Sequence, residues 1–468
     1  MDVTGDGQLD VVAGSTDADP EGATFVWAGG SGLAGTVDPT ARLEPSAGTF
    51  QGFAYALLNN DGGNALPLQF ADVDLDGITD VLGLRVMAKV AGKGEAGAIY
   101  VWKGGPALSG TLTETALLQR GTPRTGDRIG VATAGFQLVD VTGDGAPDVI
   151  AASHLTTTSV AAAGSIEVWA ARTGLAGAIA SASLEVANPV AGDWLGWEDA
   201  DAPDTTVLMH DVTGDGIRDV IGVASQATIS GRADAGAIYV WAGGAALAAA
   251  GTLAPTATLH EATTVNGRGF GSPIDNFGGA AVRFLDWNGD GVDDLLSFGS
   301  VKQSGGSSYN DGHLLVFAGG ASLVGTAPIL AKLRSNERND GFARPFWIAE
   351  VTGDGTVDVV ASALSHDTPR GADLGSLLVF AGGPASVGTP AATSTLFDAA
   401  LSGGIGAGSI DSLFECDLDG DGVLELVASW SHADDNERAQ VIRRPVVPGL
   451  VPLVPISVPL DGYSMFGD

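Results

Sequence analysis

The chain has 468 residues, 45% of them hydrophobic and 6% aromatic, with 70 glycines spread along it, so it exceeds the ~100 to 200 residues of an ordinary domain and can bury a large core. A formal net charge of −34 argues against nucleic acid, since no Lys/Arg-rich face is left to receive a phosphate backbone, and points to cations as partners. The single cysteine, Cys416, excludes an internal disulfide, and no apolar run of ~18 residues is present to span a bilayer.

The chain opens on Asp2 to Asp10, DVTGDGQLD, and this nine-residue loop returns from Asp72 (DVDLDGITD), Asp140 (DVTGDGAPD), Asp211 (DVTGDGIRD), Asp286 (DWNGDGVDD), Glu350 (EVTGDGTVD) and Asp417 (DLDGDGVLE). The spacings are 70, 68, 71, 75, 64 and 67 residues, a period that marks stacked or radial supersecondary units. Behind each loop lies an apolar run such as Val11-Val12, Val149-Ile150 or Val359-Val360, predicted as a buried strand. A second strand ends at Trp27, Trp102, Trp169, Trp241, Phe317 and Phe380, with a degraded copy near Ile442. A Gly-Gly turn then leads to a third strand, as at Thr256 to Leu259, and a segment before the next loop, such as Ala280 to Leu285, makes four.

Four-stranded units of this length with little helical periodicity predict an all-β, seven-bladed β-propeller, with a solenoid as the rival. The expected blades are 1–45, 50–118, 126–186, 193–259, 269–333, 341–397 and 404–460 within one domain, 1–468. Residues 461–468 (DGYSMFGD) resemble the lead-in that the first copy lacks, so they are expected to close the ring beside Asp2. A chain that starts inside a repeat, with no signal-peptide apolar region, is expected to be part of a longer precursor.

Counted from its first acid, each loop has oxygen side chains at positions 1, 3, 5 and 9, glycine at position 6 and a free carbonyl at position 7. That is the donor pattern of a cage for a hard cation, and calcium tolerates its irregular geometry better than magnesium. The sets are Asp2, Thr4, Asp6, Gln8 and Asp10; Asp72, Asp74, Asp76, Ile78 and Asp80; Asp140, Thr142, Asp144, Ala146 and Asp148; and Asp211, Thr213, Asp215, Ile217 and Asp219. They continue with Asp286, Asn288, Asp290, Val292 and Asp294; Glu350, Thr352, Asp354, Thr356 and Asp358; and Asp417, Asp419, Asp421, Val423 and Glu425. Positions 1, 3, 5 and 9 hold 23 of the 56 acids, leaving 33 against 22 Lys and Arg, so much of the net charge is ligand charge.

An EF-hand is rejected, because it needs a bidentate Glu at position 12, which is Ala13, Gly83, Ala151, Gly222, Ser297, Ala361 and Ala428 here. About five to seven structural Ca²⁺ are expected, the first loop being compromised by the chain terminus. Affinity is expected to follow carboxylate count, which favours the four-carboxylate loops at Asp72 and Asp417.

The D-x-[DNT]-x-D-G-x-x-D loop, the strand after it, the G-x-[VIL]-x-V-[FW] strand and the Phe-Gly lead-ins at Phe277-Gly278 and Phe466-Gly467 together resemble the FG-GAP repeat. That repeat builds the propeller head of integrin α-subunits and many bacterial surface proteins. The lead-in drifts to Ile129-Gly130, Leu195-Gly196 and Ile405-Gly406. The resemblance implies calcium loops between first and second strands on one face and ligands on the other, where the segments 83 to 96, 152 to 163, 298 to 311, 44 to 64 and 187 to 207 would lie.

Trp194 and Trp197, beside carboxylates in GDWLGWEDADAPD, are the candidate ligand residues, whereas the strand-ending Trp are expected to be core between blades. His154, His366 and His432 recur by repeat ancestry, and no HExxH, GxSxG or CxxC motif indicates an enzyme. The expected function is calcium-dependent adhesion to, or recognition of, a protein or glycan at the cell surface or outside the cell. The alternatives are a propeller-scaffold carbohydrate-active enzyme, such as a polysaccharide lyase, and a structural spacer in a larger surface protein.

Overall fold

Each loop is followed by β-branched residues that favour the pleated, buried setting of a central strand, and each such run is a strand in the computed structural model. The structure describes residues 1–15, 23–46, 68–196, 206–261, 270, 282–301, 311–337, 340–369, 371–372, 374–398, 409–416, 425–431, 438–442, 446, 448–453 and 455–456. Among these residues the fold is all β, in sheets of four or five strands, apart from one 3₁₀ turn at Ala245–Ala248. No helix among them is long and apolar enough to cross a membrane. Residues 461–468, on which ring closure was expected to rest, lie outside the described residues.

The chain divides into two units, Met1–Thr228 with Gly236–Thr258, and Ile229–Ala235 with Leu259–Asp468. In the first, one sheet orders Leu68–Ala71, Asp80–Arg85, Ala98–Trp102, Ala116–Gln119 and Gly177–Ala180 side by side. Another orders Ala132–Val139, Asp148–Ser153, Ser165–Trp169, Ala182–Leu184 and Gly251–Leu253. The second unit repeats the plan with Phe342–Ala349, Asp358–Ala363, Ser376–Phe380, Ser394–Asp398 and Gly449–Leu453.

The first four strands of each such sheet are antiparallel and follow chain order, as the sequence predicts, although in the first two sheets a short strand that belongs to the preceding sheet lies before the fourth. The fifth is not predicted. It is a short Gly-led segment of the following repeat, paired in parallel with the outer strand, as Ala116–Gln119 with Gly177–Ala180 and Ala182–Leu184 with Gly251–Leu253; Gly110–Leu112 pairs likewise with Ala41–Leu43 as the fourth strand of its sheet. In these sheets the following repeat thereby covers the exposed edge of its predecessor's sheet, which would otherwise present unpaired backbone groups.

Register is uniform from repeat to repeat. The aromatic that ends the second strand faces the first apolar residue after the loop: Val11↔Trp27, Val81↔Trp102, Val149↔Trp169, Val220↔Trp241, Leu295↔Phe317 and Val359↔Phe380. All these aromatics are buried except Trp27, which is half-buried. Trp102 packs with Val3, Val26 and Leu43 of the preceding repeat, and Trp169 with Val73 and Leu82, so these rings are core between repeats. A buried Arg120 adds a polar tie, its guanidinium meeting Glu167 at 3.2 Å and Asp127 at 3.5 Å.

At the other end of the sheets, the lead-in of one repeat docks on the loop of the repeat before it. Ile129 N–H donates to the Ala96 carbonyl at 3.0 Å, Leu195 N–H to Ala163 at 2.9 Å, and Phe270 N–H to Ala235 at 3.0 Å. Phe270 therefore stands where Ile129 and Leu195 stand. The lead-in expected at Phe277-Gly278 lies outside the described residues. Gly164 sits under this contact with φ +84°, and a Cβ there would meet the Leu195 carbonyl oxygen at 2.3 Å. Gly164→Ala is therefore expected to cost about 2 kcal/mol, read as a lowered melting temperature. An unchanged melt would mean that the lead-in is not packed there.

Candidate metal centre

From the second copy on, each described acid loop is the hairpin connection between the strand before it and the apolar strand after it, as Ala71 to Asp80, Val139 to Asp148, His210 to Asp219 and Ala349 to Asp358. The first loop instead precedes Val11–Ser15. The chain reverses tightly because the position 6 glycines, Gly7, Gly77, Gly145, Gly216, Gly291 and Gly355, all have φ between +82° and +90°, a region closed to most side chains.

Three carboxylates fold the loop on itself. The position 1 acid accepts N–H bonds from inside the turn: Asp140 from Gly143 at 2.7 Å and Gly145 at 2.8 Å, Asp211 from Gly214 at 2.7 Å and Gly216 at 2.8 Å. Asp2 and Asp286 do the same, Asp72 accepts from Asp76 and Gly77, and Glu350 accepts from Gly353. The position 5 acid accepts the position 7 N–H at 2.8 to 2.9 Å, as Asp6 with Gln8, Asp76 with Ile78, Asp144 with Ala146, Asp215 with Ile217, Asp290 with Val292 and Asp354 with Thr356.

The position 9 acid is the most constrained of the set. Asp80, Asp148, Asp219, Asp294 and Asp358 are fully buried and Asp10 is 7% exposed. One oxygen accepts the N–H groups of positions 2 and 3, as Asp219 from Val212 and Thr213 at 2.8 Å each. The other accepts a backbone N–H just beyond the second strand: Gly29, Gly104, Ala171, Gly243, Gly319 and Gly382. Thr4, Thr142, Thr213 and Thr352 add their hydroxyls, and Asn288 its amide, to that same carboxylate. Position 9 thus staples the loop to the second hairpin, a role that ligand spacing alone does not reveal.

Burial raises the position 9 carboxyls, to about 6 for Asp80 and Asp294 and in the same direction for Asp148, Asp219 and Asp358, against the lowering effect of their N–H donors. Asp10 is the exception. Burial pushes it up less, and its bonds from Gly29, Thr4 and Val3 win, leaving it lowered. Neighbouring loops within each unit also touch. Gly105 N–H donates to the Val3 carbonyl, Arg172 to Val73 and Gly244 to Val141 in one unit, and Gly383 to Trp287 and Val446 to Val351 in the other.

Among the described residues two acid groups converge closely enough to hold an ion, Asp2 with Asp6 and Asp10, and Asp72 with Asp74 and Asp80, each offering oxygens within 4.8 Å of one another. In the second group Asp74 Oδ1 is buried without a hydrogen-bond partner, an orphaned acceptor that a cation would satisfy. All-oxygen donors of this kind suit a hard cation. Asp417, Asp419, Asp421 and Val423 lie outside the described residues, and Glu425 begins the strand Glu425–Ser431.

At the other end of the sheets, Trp194 is half-buried, and its ring lies edge-on to the His154 imidazole, 6.1 Å between centroids. Its N–H donates to the Ala162 carbonyl, so it belongs to the docked lead-in; Trp197 lies outside the described residues. Burial lowers His154 to about 4, which keeps the imidazole neutral at neutral pH. The lead-in also carries acids that motif reading missed. Asp127 accepts the Arg124 and Thr157 N–H groups, and Asp193 those of Val190 and Thr228. The signal available was an Asp two residues before both Ile129-Gly130 and Leu195-Gly196, which Ile405-Gly406 does not share. Compared with models of known protein families the chain gives no match, and compared with curated proteins it gives none.

Proposed function

We propose that the chain is a seven-bladed FG-GAP-type β-propeller, stiffened by calcium along one face and serving to recognise a protein or glycan outside the cytoplasm. The observation that carries the reading is the recurrence of one loop geometry, with acids at the same positions in every described copy and, from the second described copy on, between the same two strands. A repeated oxygen cage on chains of antiparallel sheets has little room to encode a partner. Recognition then falls to the segments at the opposite end of the sheets, where loops on a rigid frame usually bind. Calcium in this reading is structural.

The test has two parts. Metal analysis at millimolar calcium is expected to find about five to seven bound ions and chelation to lower the melting temperature; two or fewer ions would overturn the calcium reading. A screen against glycans and surface proteins, run with calcium and with chelator, is expected to return a calcium-dependent ligand. Turnover of a polysaccharide in the same screen would replace recognition by catalysis.

A further inference from the structure

The second loop departs from the others at one position, and a second departure accompanies it. Where Thr4, Thr142, Thr213, Asn288 and Thr352 donate to the position 9 carboxylate, the second loop has Asp74, a second carboxyl side chain in place of the donor. Two carboxylates, Asp74 and Asp80, therefore adjoin. The structure supplies a cation there from the chain itself. Lys103 Nζ bonds to Asp74 and lies 2.7 Å from Asp76.

Lys103 follows the strand-ending Trp102. The residue in that place is Ala28, Ala170, Ala242, Ala318 and Ala381 in the five repeats with Thr or Asn at position 3. The backbone is the same in three of them: Lys103 N–H donates to the Thr115 hydroxyl as Ala28 does to Thr40, Ala242 to Thr256 and Ala381 to Thr393. Only the side chain differs. The one other loop with Asp at position 3 is the seventh, through Asp419, and there the pairing Leu426↔Ile442 matches Val81↔Trp102, so the corresponding residue is Arg443. Arg443 itself lies outside the described residues. Within one chain, an acid at position 3 and a base after the second strand occur together or not at all.

We infer that Lys103 is a built-in counter-ion that competes with calcium for the second loop, making this four-carboxylate site weaker than its charge count implies. The inference rests on the calcium reading for its competitor and on the Lys103 contacts for its mechanism. A divalent ion entering the loop must displace an ammonium already paired with two carboxylates, one of them buried. Without calcium, the same ammonium offsets the repulsion between Asp74 and Asp80.

The test compares the full chain with Lys103→Ala, the residue the other repeats carry, and with Lys103→Met, which keeps most of the apolar stem. Calcium titration is expected to show one site tightened roughly tenfold or more in both variants, and melting in chelator is expected to fall in both. Unchanged titration while the other sites bind calcium overturns the competition. If none of the three proteins binds calcium, the calcium reading fails, and the chelator melts decide the counter-ion: lower in both variants upholds it, equal to the parent overturns it.

Discussion

Asp148→Ala is expected to remove about 4 kcal/mol or more of stability in calcium and in chelator alike, whereas Asp144→Ala, in the same loop, is expected to matter mainly when calcium is bound. The contrast follows from what each carboxylate touches. Asp148 is fully buried and accepts the N–H groups of Val141, Thr142 and Ala171 at 2.9, 2.9 and 3.1 Å. Removing it strands three buried donors, and each unmet group costs about 1–3 kcal/mol. Asp144 is exposed and accepts one N–H, from Ala146. Its loss is tolerable until an ion is there to be held. Thermal melts of both variants, with and without chelator, check this; equal losses in chelator would mean that position 9 is only a ligand.

The pH dependence of stability is expected to change sign when calcium is added. Asp80 and Asp294 have folded-state values of about 6, raised chiefly by burial above the ordinary carboxyl value of 3.8. A raised folded value means that the folded state holds its proton more tightly than the unfolded chain. The associated stability is fully present below 3.8 and is lost as pH rises through about 6. At pH 7 the loss is on the order of 3 kcal/mol for each of the two. The chelated protein should therefore gain stability from pH 7 to pH 5 through these groups. With calcium bound the carboxylates are needed ionised, protons compete with the metal, and stability should fall over the same interval. Denaturant midpoints at both pH values, with and without calcium, decide it; the same slope in both conditions would separate the position 9 acids from metal binding.

The strands and their order were legible because periodic apolar runs, Gly-Gly turns and strand-ending aromatics recur with the loops. The Val149↔Trp169 register repeats in every copy. The added parallel strand was not legible, since a segment such as Gly110–Leu112 is three residues long and its partner belongs to another repeat. At the loops, spacing gave the acids but not their division of labour. Asp148 and Asp144 look alike as letters, and only burial tells a staple from an exposed acid. Lys103 was overlooked because it stands 29 residues from Asp74, and only the hairpin brings the two together.

The lent edge strand also bears on how the chain is made. The outer strand Ala41–Leu43 has no parallel neighbour until Gly110–Leu112 is synthesised, roughly 3 to 14 s later at ribosomal rates of about 5–20 residues per second. A nascent repeat closed in this way spends that interval with one sheet edge open, and its successor is the piece that shuts it. Folding acquires a direction from the N-terminus onward, and a ribosome that stalls between two loops leaves an uncapped edge as a site for mispairing between nascent chains.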